Sequence, residues 1–158
     1  MESWGEYNDR QLFYLPTRQN INWADELPTS DWLAIVVGDT RDIALYSEVA
    51  DKCIAKNVSY VCTLGLACEL IHDIFDEEIV EKKIQNGDST ESEDDFEDSL
   101  MTDWHNDFEE GVWFAIIAAN DDTKYIDKVV CIDLTDTIER QRLFELIEKI
   151  KTGYIPPD

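Results

Sequence analysis

Short apolar runs alternate with segments of helical periodicity along most of this chain. The run WLAIVV at residues 32–37 is continuous and ends at Gly38, a pattern typical of a strand buried on both faces. Further runs predict strands at residues 58–64, 99–105 and 129–134. The chain therefore has at least four segments that can form a sheet.

The segments after these strands carry apolar residues at three- and four-residue spacing, which predicts amphipathic helices. The apolar positions are Tyr46, Val49, Ala50 and Cys53 after the first strand, Ala67, Leu70, Ile71 and Ile74 after the second, and Leu143, Leu146, Ile147 and Ile150 after the fourth. Before the last of these helices, Asp136 and Glu139 resemble a capping box.

The segment VWFAIIAA at residues 112–119 is apolar enough to form either a strand or a helix. Three features favour a helix. Asn106 or Asp107 can cap it, Glu109 and Glu110 suit a first helical turn, and the apolar positions match helical spacing. We therefore predict a helix after the third strand as well.

Alternating strands and helices predict an α/β fold with three layers and a four-stranded, mainly parallel sheet. Right-handed crossovers favour the strand order 2-1-3-4, as in Rossmann- and flavodoxin-like proteins. The length of 158 residues suits a single α/β domain spanning residues 1–158. Within it, residues 1–30 form an aromatic lead-in expected to pack over the core, and residues 87–99 an acidic, mobile loop.

In the order 2-1-3-4, the carboxyl ends of the first and third strands meet, and ligands of such sheets bind at this point. His105, Asp103 and Asp39 lie there and are the catalytic candidates, with no catalytic role assigned to any of them. His105 titrates near neutrality, and a neighbouring aspartate can orient it. Four further residues at the strand ends are candidates for ligand binding: Thr40, Arg41, Trp104 and Asp136.

Motifs for the common cofactors and nucleophiles are missing from the sequence. There is no GxSxG, GxGxxG or GxxxxGK, so we predict no cofactor and no nucleophile elbow. The four cysteines lack CxxC spacing and fall in apolar segments, which favours reduced core thiols and predicts no metal site. Reduced thiols and the lack of a secretory signal indicate a cytoplasmic protein.

The net charge of −23, from 36 acidic and 13 basic residues, narrows the range of partners. So negative a surface repels phosphate backbones and anionic lipids, and no apolar run is long enough to span a membrane. It attracts basic proteins. The partner-binding candidates are the carboxylates of the acidic loop: Asp88, Glu91, Glu93, Asp94, Asp95, Glu97 and Asp98. The alternative is a solvated insertion with no binding role.

Several segments together resemble a small uncharacterised bacterial domain family. They are MTDWH at residues 101–105, EEGVWFAIIAA at 109–119 and VVCIDL at 129–134, with WLAIVVGD and FYLP earlier in the chain. That family has a Thr-x-Trp-His strand end followed by a helix containing Phe-Trp-Phe-Ala, where this chain has VWFA. The family has no assigned activity, so the resemblance implies the strand-then-helix arrangement and no mechanism.

These observations favour a non-enzymatic, acidic binding module that docks a basic partner, such as an immunity protein, an inhibitor or an accessory protein of a defence system. The alternative is a small hydrolase, or a regulatory domain that binds a nucleotide or another ligand, using Asp39, Asp103 and His105. The sequence leaves the identity of the partner and the oligomeric state open.

Overall fold

The computed structural model describes residues 1–85, 87 and 100–157. Within them the strands are β1 (Glu2–Tyr7), β2 (Arg10–Pro16), β3 (Trp32–Val37), β4 (Tyr60–Leu64), β5 (Met101–Trp104) and β6 (Lys128–Asp133). The helices are α1 (Ile43–Ala55), α2 (Cys68–Gln85), α3 (Phe108–Trp113) and α4 (Arg140–Lys151). A 3₁₀ turn spans Trp23–Glu26, and α3 continues directly into the π-helical segment Phe114–Ala118.

The strands form one mixed sheet in the order β1-β2-β6-β3-β4-β5. Strands β1 and β2 are antiparallel, and every other neighbouring pair is parallel. The prediction of a four-stranded, mainly parallel sheet in the order 2-1-3-4 is therefore wrong. The first predicted strand, β3, lies between the fourth and the second, and the third predicted strand, β5, lies at the far edge.

Burial explains this order. All six residues of β3 are buried, as are five of the six in β6, so both strands need neighbours on each side and cover on each face. Strand β5 has the short sequence MTDW with no buried residue, which suits an edge. The polar residues of this strand indicate an edge position, whereas the predicted order places the strand inside the sheet.

The aromatic lead-in does not simply cover the core; much of it enters the sheet. Asn8 and Asp9 have φ angles of 56° and 60° and connect β1 to β2 as a two-residue turn of the type favoured in hairpins. Strand β2 then pairs in parallel with β6 from Gln11 to Pro16. Trp23, by contrast, is the first residue of the 3₁₀ turn and packs in the core.

The helices lie on the two faces of the sheet. Helices α1 and α2 cover one face with Val36, Val61 and Ile132 beneath them. Helices α3 and α4 cover the other with Ile35, Cys62 and Cys131. The sheet is thus the middle of three layers, with an apolar core on each side.

The helical prediction for VWFAIIAA is confirmed, since residues 112–118 continue the helix that begins at Phe108. Asp107 caps this helix by accepting a hydrogen bond from the backbone N–H of Glu110 at 3.0 Å. The capping box predicted before α4 is wrong. Glu139 occupies the cap position without a capping hydrogen bond from its side chain, and Asp136 lies in a left-handed turn with a φ of 57°.

Arg10 forms hydrogen bonds with backbone carbonyl groups at the end of the π-helical segment. Its side chain is buried and donates hydrogen bonds to the carbonyl oxygens of Ala115 at 2.8 Å and Ala119 at 2.5 Å. Asn8 donates to the carbonyl oxygen of Ile116 at 3.0 Å. The β1–β2 hairpin thereby supplies donors to carbonyl groups at a helix end that have no partner within the helix.

We expect Arg10→Met to lower the free energy of unfolding by about 2–4 kcal/mol, because buried carbonyl acceptors lose their donors. Urea denaturation measures the change. The matched control is Arg41→Met, at an exposed arginine, with an expected change within about 0.5 kcal/mol. Equal stabilities of the two variants would contradict this role of Arg10.

Candidate functional site

Strand β4 separates the residues that the sequence predicts to meet at the carboxyl ends of the strands. Strand β4 lies between β3, which precedes Asp39, and β5, which carries Asp103 and precedes His105. The direct juxtaposition of Asp39 with His105 is therefore wrong. The structure instead forms two separate groups of side chains, one around each residue.

Asp39 joins the loops that follow β3 and β4. Its Oδ1 accepts a hydrogen bond from the backbone N–H of Leu66 at 3.1 Å. Gly65, with a φ of 93°, allows this approach, since a Cβ there would lie 2.4 Å from the carbonyl oxygen of Gly38. A cavity of about 460 Å³ opens beside Asp39 and is also lined by Asn106 and Arg142.

The four ligand-binding candidates do not converge on this cavity. The backbone carbonyl of Thr40 accepts a hydrogen bond from the hydroxyl of Tyr46, so Thr40 has a structural role. Arg41 is exposed and forms no ion pair within the described residues. Trp104 is 38% exposed at the sheet edge, and Asp136 lies in the turn before α4.

His105 and Asp103 do form a hydrogen-bonded pair at the end of β5. The Nε2 atom of His105 lies 3.2 Å from Oδ1 of Asp103. The other carboxylate oxygen accepts a hydrogen bond from the hydroxyl of Tyr60 at 2.9 Å. The ring of Phe114 packs against the imidazole at a tilt of 43°, with their centroids 5.0 Å apart. Asp103 is thus fixed between a tyrosine and a histidine.

Cys62 completes this cluster, and sequence reasoning missed it. It is the residue of β4 that pairs in register with Asp103 of β5. Its sulfur, a carboxylate oxygen of Asp103 and a ring nitrogen of His105 all lie within 4.8 Å of one another. The linear spacing of these residues gave no signal, because the cluster depends on which strands are neighbours. We call Cys62, Asp103 and His105 the cysteine–histidine cluster.

Helix α3 can pack closely against this cluster because it contains a glycine. A Cβ on Gly111 would lie 2.1 Å from a methyl carbon of Leu64 and 2.9 Å from the Cβ of His105. Any larger residue would push the helix away from the sheet. The cluster is therefore held between β4, β5 and the helix that covers them.

The surroundings shift the pKa values of these groups. The hydrogen bond to Asp103 raises the pKa of His105, although burial of the ring acts in the opposite direction. Burial raises the pKa of the Cys62 thiol well above its ordinary value, Asp103 adds to this rise, and Arg10 opposes it. Burial and the carboxylate of Asp103 also raise the pKa of Tyr60.

Asp133, a second carboxylate at the strand ends, is fully buried and has its hydrogen bonds satisfied. It accepts from the hydroxyl of Tyr14 at 2.6 Å and from the backbone N–H of Thr135 at 2.8 Å. These bonds connect the end of β6 to β2 and to the loop before α4. Asp133 is best explained as part of the structure rather than of a site.

The outer surface of α2 combines apolar and acidic side chains. Val80 and Ile84 are 48% and 63% exposed and lie one helical turn apart. They border an open depression of about 600 Å³ on the surface, together with Asp76, Glu77 and Glu81. Among the described residues, Glu77 and Glu81 form no ion pair. We call these five residues the α2 strip.

The acidic loop lies outside the described residues, apart from Gly87. The partner-binding candidates Asp88, Glu91, Glu93, Asp94, Asp95, Glu97 and Asp98 are among the residues left out. Their role stays a prediction from the sequence.

Together these features define an α/β protein with a mixed six-stranded sheet and helices on both faces. The chain belongs to the family described as a domain of unknown function, DUF7684, whose model matches residues 10–150. This confirms the expectation of an uncharacterised domain family. No curated protein and no solved structure matches the chain. No helix in the described ranges is long and apolar enough to cross a membrane.

We expect Asp103→Asn to lower the pKa of His105 towards its ordinary value of 6.5, because the charged acceptor is lost. A pKa raised in the folded state means that protonation of His105 stabilises the fold. This stabilisation is fully present below pH 6.5 and is lost as the pH rises through the folded pKa.

An NMR titration of the His105 ring signals checks this prediction, with assignment by the His72→Gln variant. Asp73→Asn, which removes a carboxylate beside the other histidine, is the control and should leave the pKa of His105 unchanged. The same midpoint in the wild type and in Asp103→Asn would show that the pair does not control this titration.

Proposed function

We propose that this protein is a non-enzymatic binding module that docks a basic, amphipathic segment of a partner protein on the α2 strip. The observation that carries the proposal is the exposure of Val80 and Ile84 beside Glu77 and Glu81, two glutamates that have no cationic partner within the described residues. Exposed apolar side chains rimmed by charged ones are typical of interaction sites.

The chemistry of the strip selects the partner. Val80 and Ile84 are four residues apart on one helix, which is the spacing of the apolar residues by which one helix contacts another. A partner helix can therefore bury its own apolar side chains against them. Glu77 and Glu81 lie along one side of this apolar pair, so they favour lysine or arginine on that side of the partner segment and repel acidic segments. A basic amphipathic helix satisfies both requirements.

The charge of the rest of the chain supports the same class of partner. The net charge of −23 speeds encounter with basic proteins and disfavours nucleic acids and anionic membranes. Seven carboxylates of residues 88–98 follow α2 in the sequence and add to this charge. Their contribution to docking is part of the proposal.

An acidic module of this kind suits an inhibitor or immunity protein of a bacterial defence system whose target presents a basic surface. The four cysteines are all buried free thiols, which supports a reducing compartment such as the cytoplasm. We do not propose the alternative of a hydrolase that uses Asp39 together with His105, because β4 lies between their strands.

The test uses a helical peptide of lysine and leucine with apolar residues on one face, labelled for fluorescence anisotropy. We expect binding that weakens steeply as salt is added, because the charges on both sides become screened. A peptide of the same pattern with glutamate in place of lysine should not bind. Failure of the basic peptide to bind at low salt would refute the proposal.

Variants then locate the site. Glu77→Gln with Glu81→Gln, and Val80→Ser with Ile84→Ser, should each weaken binding by about tenfold or more. Matched controls are Glu69→Gln at the start of the same helix and Ile155→Ser, an isoleucine that is 70% exposed elsewhere. If the strip variants bind as tightly as the controls, docking on α2 is wrong.

A further inference from the structure

We propose that Cys62, Asp103 and His105 bind a divalent transition-metal ion of the zinc type. The cluster offers one sulfur, one carboxylate oxygen and one ring nitrogen, all within 4.8 Å of one another. Nothing in the sequence spacing or in the family match assigns a metal to these residues. The site is independent of the proposed function, since it lies under α3, on the face of the sheet opposite to α2.

The distances suit a tetrahedral ion. Zinc binds nitrogen and carboxylate oxygen at about 2.0–2.1 Å, so two such ligands of one ion lie about 3.3 Å apart. The Nε2 atom of His105 and the Oδ1 atom of Asp103 are 3.2 Å apart. The sulfur of Cys62 lies within 4.8 Å of both atoms.

The donor atoms favour zinc over the abundant hard cations. Magnesium and calcium prefer sites built entirely of oxygen, whereas a thiolate with an imidazole suits zinc and cobalt. Three protein ligands leave the fourth tetrahedral position for water or an external ligand. The thiolate and the carboxylate together balance the charge of the ion.

The surroundings resemble the supporting shell of a metal site. The hydroxyl of Tyr60 donates to the Asp103 oxygen that does not face His105, at 2.9 Å. Such outer hydrogen bonds orient a ligating carboxylate. The ring of Phe114 packs against the imidazole, with the two centroids 5.0 Å apart.

Proton balance follows from the ligand set. In the metal-free protein Cys62 carries its proton, and binding of the ion releases that proton to solvent. His105 must also be neutral at Nε2 to bind, so it releases a proton whenever it is charged beforehand. In the metal-free protein, burial and Asp103 favour the thiol of Cys62, and the positive charge of Arg10 acts against them. Affinity for the ion should therefore fall as the pH falls.

The experiment titrates the reduced full-length protein with Co²⁺ in an excess of Mg²⁺, which occupies carboxylate sites on the acidic surface. We expect one Co²⁺ ion per chain and the near-ultraviolet absorption band of a cobalt–thiolate bond. Zn²⁺ should displace the Co²⁺ and abolish the band. Absence of the band, or Co²⁺ binding without it, would overturn the proposal.

Two variants and two controls assign the ligands. Cys62→Ser and His105→Gln should each abolish the band or weaken Co²⁺ binding by at least tenfold. Cys131→Ser removes another buried thiol on the same face of the sheet, and His72→Gln removes the histidine beside Asp73 and Asp76. Both controls should keep the band. If Cys62→Ser does not fold, His105→Gln decides, since its side chain is partly exposed.

Tyr60→Phe tests the supporting hydrogen bond. This variant keeps all three ligands, so it should retain the cobalt–thiolate band but bind Co²⁺ about tenfold more weakly. An unchanged affinity would show that Asp103 is not a ligand oriented by Tyr60.

Discussion

The insertion of β6 between β2 and β3 is the constraint on which the rest of the structure depends. Val130 of β6 pairs with Phe13 on one side and with Ala34 on the other, and both faces of the strand are buried. A parallel strand in this position can be reached only by a crossover from β5 at the far edge. The chain therefore reverses its direction of travel across the sheet between β5 and β6.

That reversal decides which helices cover which face. The crossovers from β3 to β4 and from β4 to β5 run in one direction, and their helices lie on one face. Right-handed crossovers require the returning connection to lie on the opposite face, where α3 is found. Helix α3 thus passes over Cys62 and His105, and its end meets the buried Arg10 of β2. The position of the cluster under α3 and the exposed surface of α2 on the opposite face both follow from this path of the chain through the sheet.

The local elements could be predicted from the sequence to a large extent. The strands at 32–37 and 129–134 and the helical nature of residues 112–118 follow from apolar runs, periodicity and caps near each segment. The strand order could not be derived in this way, because it depends on which surfaces bury each other. Likewise, the sequence did not indicate the two strands of the amino-terminal hairpin, because this segment contains a proline and has a mixed pattern of apolar and polar residues.

The sequence by itself determined the charge of −23, the buried character of the cysteines and the proximity of Asp103 to His105, which are two residues apart at the end of β5. These properties are local, because they depend on composition and on the two-residue repeat of a strand. Only the tertiary structure brought Cys62 and Tyr60 to that pair and separated it from Asp39. The physical reason is that contacts between strands depend on the order of the sheet, which is selected by burial on both faces of β3 and β6 rather than by nearness along the chain.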